Sequence, residues 1–334
     1  MSFSAAVVGC GRSGCGFDDD PLRKMINTHA GAYKNNPKTR LVAFCDIDEG
    51  KLQKYGKKFS VTNLFTNIDD MLQAVKPDLV SICTLPQQHY DMVSKAAQFG
   101  VKGIFCEKPI STNIEDTKKM IEVCKKNNVV LMINHQRRFD PLMNEIKKTI
   151  ENNILGYITH TTFYYTAGIY NTGTHVIDLL RFFFGDIEWI SGEKSKVKSS
   201  DPDDPNLDGT IKFRNGTVAS IKAFDVKDFL IFEQDIIGIK GRFRILESGM
   251  KIEYYKVSDS KYYTGYKELE KHELPFEFPQ KREMWIEGVK HVTECVEGGI
   301  VPKSSGDDGL KALEAILALI ESSENNSKKI YLID

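Results

Sequence analysis

The stretch Gly9-Cys10-Gly11-Arg12-Ser13-Gly14 follows a short apolar run, residues 5–8, without a break. Three glycines at this spacing have separate tasks at the end of a strand. The first permits a tight turn. The second lets the backbone approach a pyrophosphate closely, and the third lets the next helix pack on the strand. A second apolar run ends in Asp46. A carboxylate there accepts hydrogen bonds from both hydroxyls of an adenosine ribose and repels a 2'-phosphate. Ile47 and Asp48 supply no arginine for that phosphate, so NAD is favoured over NADP. The spacing is irregular, because Asp46 lies about thirty residues past the glycines instead of about twenty. Gly16-Phe17-Asp18-Asp19-Asp20-Pro21 lies between, and Asp20 suits a helix cap with Pro21 in the first turn. The helix facing the pyrophosphate is therefore expected to begin late or be interrupted. The three carboxylates are expected to point to solvent, in a loop that bulges away over the adenosine end or at a subunit contact.

A second stretch, Cys106-Glu107-Lys108-Pro109-Ile110, closes another short apolar run. A solvated surface lysine needs neither a buried strand before it nor a proline after it. The plain alternative is a strand-end lysine in a salt bridge with Glu107. The carboxyl end of a parallel strand is also where open α/β sheets bind their ligands.

Strand and helix patterns alternate over the first third. Apolar runs at residues 5–8, 41–45, 63–65, 79–83, 103–106 and 130–133 flank mostly amphipathic stretches. Thr66-Asn67-Ile68-Asp69 and Thr112-Asn113-Ile114-Glu115 read as capping boxes. This alternation predicts a parallel sheet covered on both faces, and six strands match the dinucleotide-binding count. After about Arg138 the chain turns strand-like and aromatic, at residues 157–166, 187–197, 209–213, 218–224, 229–239 and 242–246. One helix is expected near residues 174–184. Asp201-Pro202-Asp203-Asp204-Pro205-Asn206 reads as a surface loop. Two apolar stripes, from Trp285 to Val296 and from Leu310 to Ile320, return the chain to helix. The fold class is α/β. Residues 1–135 form a Rossmann domain. Residues 136–334 form an α/β domain with an open, mainly antiparallel sheet, and helix 306–323 packs back on the first domain.

Composition sets limits. The 334 residues carry 45 Lys+Arg against 46 Asp+Glu, a net charge of −1. That balance argues against nucleic acid as a main partner. No apolar run is long enough to span a bilayer, and no membrane partner is expected. Seven cysteines without a C-x-x-C pair read as free thiols in a reducing compartment, which places the protein in the cytoplasm. The histidines, His29, His135, His160, His272 and His291 among them, show no metal-ligand spacing, so no metal is expected.

With SICTLPQQHY (residues 81–90), CEKPI, NHQRRFDP (residues 134–141) and NTGTHVID (residues 171–178) added to the glycine loop, the chain resembles the glucose–fructose oxidoreductase / inositol dehydrogenase (Gfo/Idh/MocA) family. The similarity runs over nearly the whole length. It implies an oxidoreductase that moves hydride between NAD and a secondary hydroxyl or keto carbon of a sugar, sugar phosphate or sugar nucleotide. It implies that Lys108 reaches the nicotinamide ribose and the substrate hydroxyl, polarising the reacting oxygen. Pro109 would fix the direction of the chain there, with a cis peptide one way to do so. Thr84, Pro86, His89 and Glu107 would join Gly9, Gly11, Arg12, Ser13, Gly14, Asp46 and Lys108 in binding the cofactor.

Removing hydride from an alcohol also requires removal of the hydroxyl proton. The resemblance assigns that to His175, where a helix N-terminus disfavours the imidazolium. The chain departs from the family at Asn171, usually aspartate. Asparagine orients a hydroxyl or an imidazole without stabilising positive charge. Some sugar-nucleotide dehydrogenases of the family look asparagine-like here, so activity is not read as lost. Asp178 is either a partner of His175 or part of a helix-face salt bridge. Arg137 or Arg138, with Arg138 the choice for substrate binding, would hold an anionic group; a hinge salt bridge is the equal alternative. The segment before the histidine helix is short, which suggests an open substrate side or one completed by a neighbouring subunit. The resemblance also implies a homodimer or homotetramer. Two further readings stay open: a keto-sugar reductase using the same residues in the opposite direction, and a sensor that binds dinucleotide without catalysis.

Overall fold

The computed structural model describes residues 2–332. Contacts divide the chain into two compact units, Met1–Asp140 with Lys281–Leu313, and Pro141–Gln280 with Glu314–Asp334.

In the first unit, β1 (Phe3–Val8), β2 (Thr39–Cys45), β3 (Asn63–Phe65), β4 (Leu79–Ile82), β5 (Gly103–Cys106) and β6 (Val130–Ile133) form one sheet in the order β3-β2-β1-β4-β5-β6. Every pairing in it is parallel. β4 and β5 are buried along their whole length, as strands covered on both faces should be. The connecting helices are α1 (His29–Asn35), α2 (Glu49–Phe59), α3 (Ile68–Val75), α4 (His89–Gln98) and α5 (Ile114–Lys126). The caps of α3 and α5 are the asparagines, one residue past the threonines that the sequence pointed to. Asn67 accepts the N–H groups of Asp69 and Asp70, and Asn113 accepts that of Asp116. The strand order reverses between β1 and β4, so the carboxyl ends of these two strands flank the switch-point crevice where such sheets bind ligands.

The second unit begins with α6 (Pro141–Glu151). Its strands are β7 (Ile158–Thr166), β8 (Ile187–Lys194), β9 (Leu207–Phe213), β10 (Val218–Phe224), β11 (Phe232–Gly238), β12 (Gly241–Leu246), β13 (Lys251–Asp259), β14 (Lys267–His272) and β15 (Ile330–Tyr331). They make a sheet in the order β14-β13-β12-β11-β7-β10-β9-β8-β15. β7 and β10 are parallel and the other pairs antiparallel. Burial alternates strictly along β11 and β12, so one face is packed. α7 (Thr174–Phe184) is buried at nearly every position and packs Phe184 on Phe213 of β9.

Two helices complete the chain, α8 (Met284–Gly298) and α9 (Gly306–Glu324). The contacts divide the chain differently from a single boundary after residue 135. α8 belongs to the first unit because its Trp285, Val289 and Val292 complete that unit's core. Gly306 and Gly309 of α9 lie close against Ile121 and Ile110 in the first unit, and Leu319 closes on Gly192 and Gly209 in the second.

Candidate functional site

The chain turns at Gly9, with φ at +91°. A side-chain carbon there would lie 2.6 Å from the Cys83 carbonyl, so only glycine fits. At Gly14 the same carbon would fall 2.0 Å from the Gly9 carbonyl oxygen. Gly11 differs, since an added carbon would meet no protein atom within 4 Å. The loop is closed against its own sheet and bare at the one glycine that the fingerprint turns toward the pyrophosphate. These residues fit a dinucleotide.

The N–H groups of His29 and Ala30 donate to the carbonyls of Ser13 and Gly14, each at 3.0 Å. A helical ladder therefore resumes at His29 after an excursion over residues 15–28, which accounts for the long spacing to Asp46. The late helix start agrees with the sequence. Asp19 and Asp20 are exposed as expected, whereas Asp18 and the cap depart from the expectation. Asp18 turns inward, accepting the Asn27 N–H at 2.7 Å and the Thr28 hydroxyl. Asp19 pairs with Lys58 at 2.6 Å and Lys54 at 2.7 Å, and accepts the Tyr55 hydroxyl at 2.9 Å. Burial raises the Asp19 carboxyl, but these hydrogen bonds outweigh it and bring it down to about 2. Asp20 caps no helix; it lies 3.6 Å from Arg23, and Thr28 caps α1. The excursion is thus a charge-neutralised brace against α2, the helix that follows Asp46. Exposed Arg12 stacks on Phe17 at 4.9 Å, and Arg23 stacks on the same ring at 4.2 Å.

Asp46 sits at the carboxyl end of β2 beside the glycine loop. Its Oδ2 accepts the Cys10 N–H at 2.6 Å and its Oδ1 accepts the Asp48 N–H at 2.9 Å. Each oxygen keeps capacity for a further donor such as a ribose hydroxyl.

Thr84 and Pro86 lie in the turn after β4, and the buried Thr84 hydroxyl has no hydrogen-bond partner among the described residues. His89 departs from the expectation that it lines the cofactor. It is fully buried, with Nε2 3.1 Å from the Thr84 carbonyl and Nδ1 3.1 Å from the Ile110 carbonyl. It ties the turn after β4 to the segment after β5. Burial lowers its pKa, against the pull of those two carbonyls.

Lys108 is half-buried at the end of β5, and its bond to Pro109 is cis. Glu107 also differs from the expected cofactor contact, because it points into the unit. Its Oε1 accepts from Asn134 Nδ2 at 2.6 Å and lies 2.9 Å from His29 Nε2. His29 Nδ1 is 2.8 Å from the Ser81 hydroxyl, which donates to the Tyr33 hydroxyl at 2.9 Å. Burial works to raise the Glu107 carboxyl, but the His29 hydrogen bond and charge, the Lys108 charge and Asn134 together hold it below the usual range. Nothing in the sequence marks His29 for this role, because a lone histidine without ligand spacing carries no signal.

Arg138 is buried, with Nη1 3.0 Å from Asp308 and donating to the Lys303 carbonyl at 2.7 Å. That geometry is the salt-bridge alternative. In the second unit, β7 ends at Thr166 and a π-helical turn, Gly168–Gly173, leads straight into α7. Exposed Asn171 lies in that turn, buried His175 in the first turn of α7, and Asp178 is buried one turn further on. Among the described residues no cluster of His, Cys, Asp or Glu could hold a metal ion, and no helix is long and apolar enough to cross a membrane.

Comparison with known proteins agrees with this geometry. Residues 3–135 match the family model described as an oxidoreductase family, NAD-binding Rossmann fold, and residues 166–332 match the C-terminal alpha/beta domain of the same family. D-apiose dehydrogenase of Paraburkholderia graminis is 25% identical, covering 96% of this chain and 86% of its own. Myo-inositol 2-dehydrogenase of Thermotoga maritima is 25% identical over 87% of this chain and 91% of its own. The WlbA dehydrogenase of Bordetella pertussis, solved with NADH and UDP-GlcNAcA, superposes with a TM-score of 0.78 at 21% identity and covers all of both chains.

Proposed function

Because this chain belongs to the Gfo/Idh/MocA oxidoreductase family, whose first domain is an NAD-binding Rossmann fold, we propose that it oxidises a secondary hydroxyl of a sugar, sugar phosphate or sugar nucleotide with NAD. When bound, NAD supplies the hydride acceptor. The glycine loop holds its pyrophosphate and Asp46 its adenosine ribose, which disfavours NADP. Lys108 polarises the reacting oxygen, and its fixed charge stabilises negative charge as the O–H proton leaves. His175 accepts that proton. Asn171 orients the hydroxyl or the imidazole and adds no charge. The printed names of the relatives, dehydrogenases of apiose and inositol, support the polyhydroxylated substrate class.

The observation that carries the reading is the bare Gly11 beside the anchored Asp46, on the same sheet edge as Lys108. The test is the kcat and KM of His175→Ala with NAD and the best substrate of a sugar panel. The proposed base predicts a loss of kcat of about a hundredfold or more, with NAD binding unchanged. Retained kcat rejects the role. The same reading includes a cytoplasmic location, supported by seven buried free thiols, and a homodimer or homotetramer, supported by the broad open sheet of the second unit.

A further inference from the structure

The π-helical turn that carries Asn171 and leads to His175 begins without a capping side chain of its own. Ala167 before it stands in the left-handed region, φ +64°, and Gly168 follows at +77°. The first N–H groups of such a turn have no partner within it and need one outside. Here a single distant segment supplies all of them. Asn206 Oδ1 accepts from Gly168 at 3.2 Å, and the Pro205 carbonyl from Ile169 at 3.0 Å. The two oxygens of Asp204 accept from Tyr170 at 2.7 Å and Asn171 at 2.9 Å. From its sequence this segment reads as a surface loop, and residues 201–203 are exposed. Asp204 and Asn206 are buried instead. Asn206 is anchored in turn, donating to the Val197 and Phe224 carbonyls at 3.2 and 3.1 Å.

The fit leaves no slack. A carbon added at Gly168 would lie 2.1 Å from the Asp204 carboxyl carbon. Bonds from a carboxylate to backbone N–H groups are charge-assisted and stronger than neutral ones. A π turn is a strained form that persists where its surroundings hold it, often at functional sites.

We propose that Asp204 is a positioning residue for the reaction: by holding the amides of Tyr170 and Asn171, its carboxylate sets the turn that places Asn171 and His175. This rests on the dehydrogenase reading for its kinetic consequence, and on geometry alone for its structural one. It explains how a chain with so short a segment before the histidine helix keeps that segment in register.

The test compares the full-length protein with Asp204→Asn and Asp204→Ala, with Asp203→Asn in the exposed part of the same loop as control. Two readouts are taken. Amide hydrogen exchange across residues 167–175 needs no substrate. It should speed up at least about tenfold in Asp204→Ala and less in the isosteric Asp204→Asn, which keeps one acceptor oxygen. The kcat should fall by up to about a hundredfold in Asp204→Ala, with partial rescue in Asp204→Asn and NAD affinity unchanged, since small misplacements cost that much. The control should move neither. Unchanged exchange in both Asp204 variants overturns the proposal, as does accelerated exchange with full kcat. Should the wild type turn over no sugar, the dehydrogenase reading falls, while the exchange result still decides whether Asp204 holds the turn.

Discussion

His29 Nε2 and Glu107 Oε1 meet at 2.9 Å inside the first unit, although 78 residues separate them in the chain. Glu107 is the neighbour of Lys108, so this contact fixes the backbone on which the lysine stands. Removing one member of a buried pair strands the other, which costs roughly 3–5 kcal/mol. His29→Ala should therefore lower the free energy of unfolding in urea by about that amount, and Glu107→Gln, which keeps the hydrogen bond from Asn134, by less. Equal, small losses would contradict the pairing.

The same carboxyl gives a pH signature. Its folded pKa lies below its unfolded value, with burial opposed and outweighed by His29, Lys108 and Asn134. The stabilisation is complete above the unfolded value of about 4.3 and is lost as pH falls through the lower folded value. The urea midpoint of the wild type should fall on acidification below about pH 4 more steeply than that of Glu107→Gln. Parallel profiles would show that the carboxylate is not the acid-sensitive group.

The glycine loop separates binding from folding. Gly9→Ala introduces a carbon 2.6 Å from the Cys83 carbonyl at a left-handed φ, so it should lower the melting temperature. Gly11→Val meets no protein atom near its first carbon, so it should melt with the wild type and yet bind NAD weakly. Calorimetry for stability and titration for NAD check both. Normal NAD affinity in Gly11→Val would mean that the pyrophosphate does not lie over Gly11.

Asp46 should govern the choice of cofactor. Asp46→Ser removes the charge that repels a 2'-phosphate, so the preference for NAD over NADP in kcat/KM should shrink about tenfold or more. Asp46 also accepts the Cys10 N–H, so some NAD affinity should be lost as well. An unchanged ratio would place the adenosine ribose elsewhere.

Much of the fold was legible because burial writes a pattern. The central strands β1, β4, β5 and β6 are largely buried apolar runs, and α7 falls on residues 174–184 as expected. β13 and β14 left no such signal. Lys251–Asp259 and Lys267–His272 are charged on both faces, as strands near an open edge often are, so no apolar alternation marks them. The tight turn at Gly9 and the close packing at Gly14 were legible, because each glycine does one backbone job. The site was illegible where the job depends on a distant partner. His29, Asn134 and Asp204 each matter through a contact made far along the chain, and His89 and Glu107 face inward for the same reason. The excursion at residues 15–28 hid the regular fingerprint, because a helix resumed across a gap looks in sequence like a wrong spacing.

The most direct test of the central claim follows nicotinamide absorbance while the wild type and Lys108→Met are incubated with NAD and a panel of sugars, sugar phosphates and sugar nucleotides. The wild type should reduce NAD with one of these classes. Lys108→Met should lose that turnover by at least about a hundredfold while NAD binding stays largely intact. Turnover retained in Lys108→Met, or tight NAD binding by the wild type with no reduction across the panel, would contradict it.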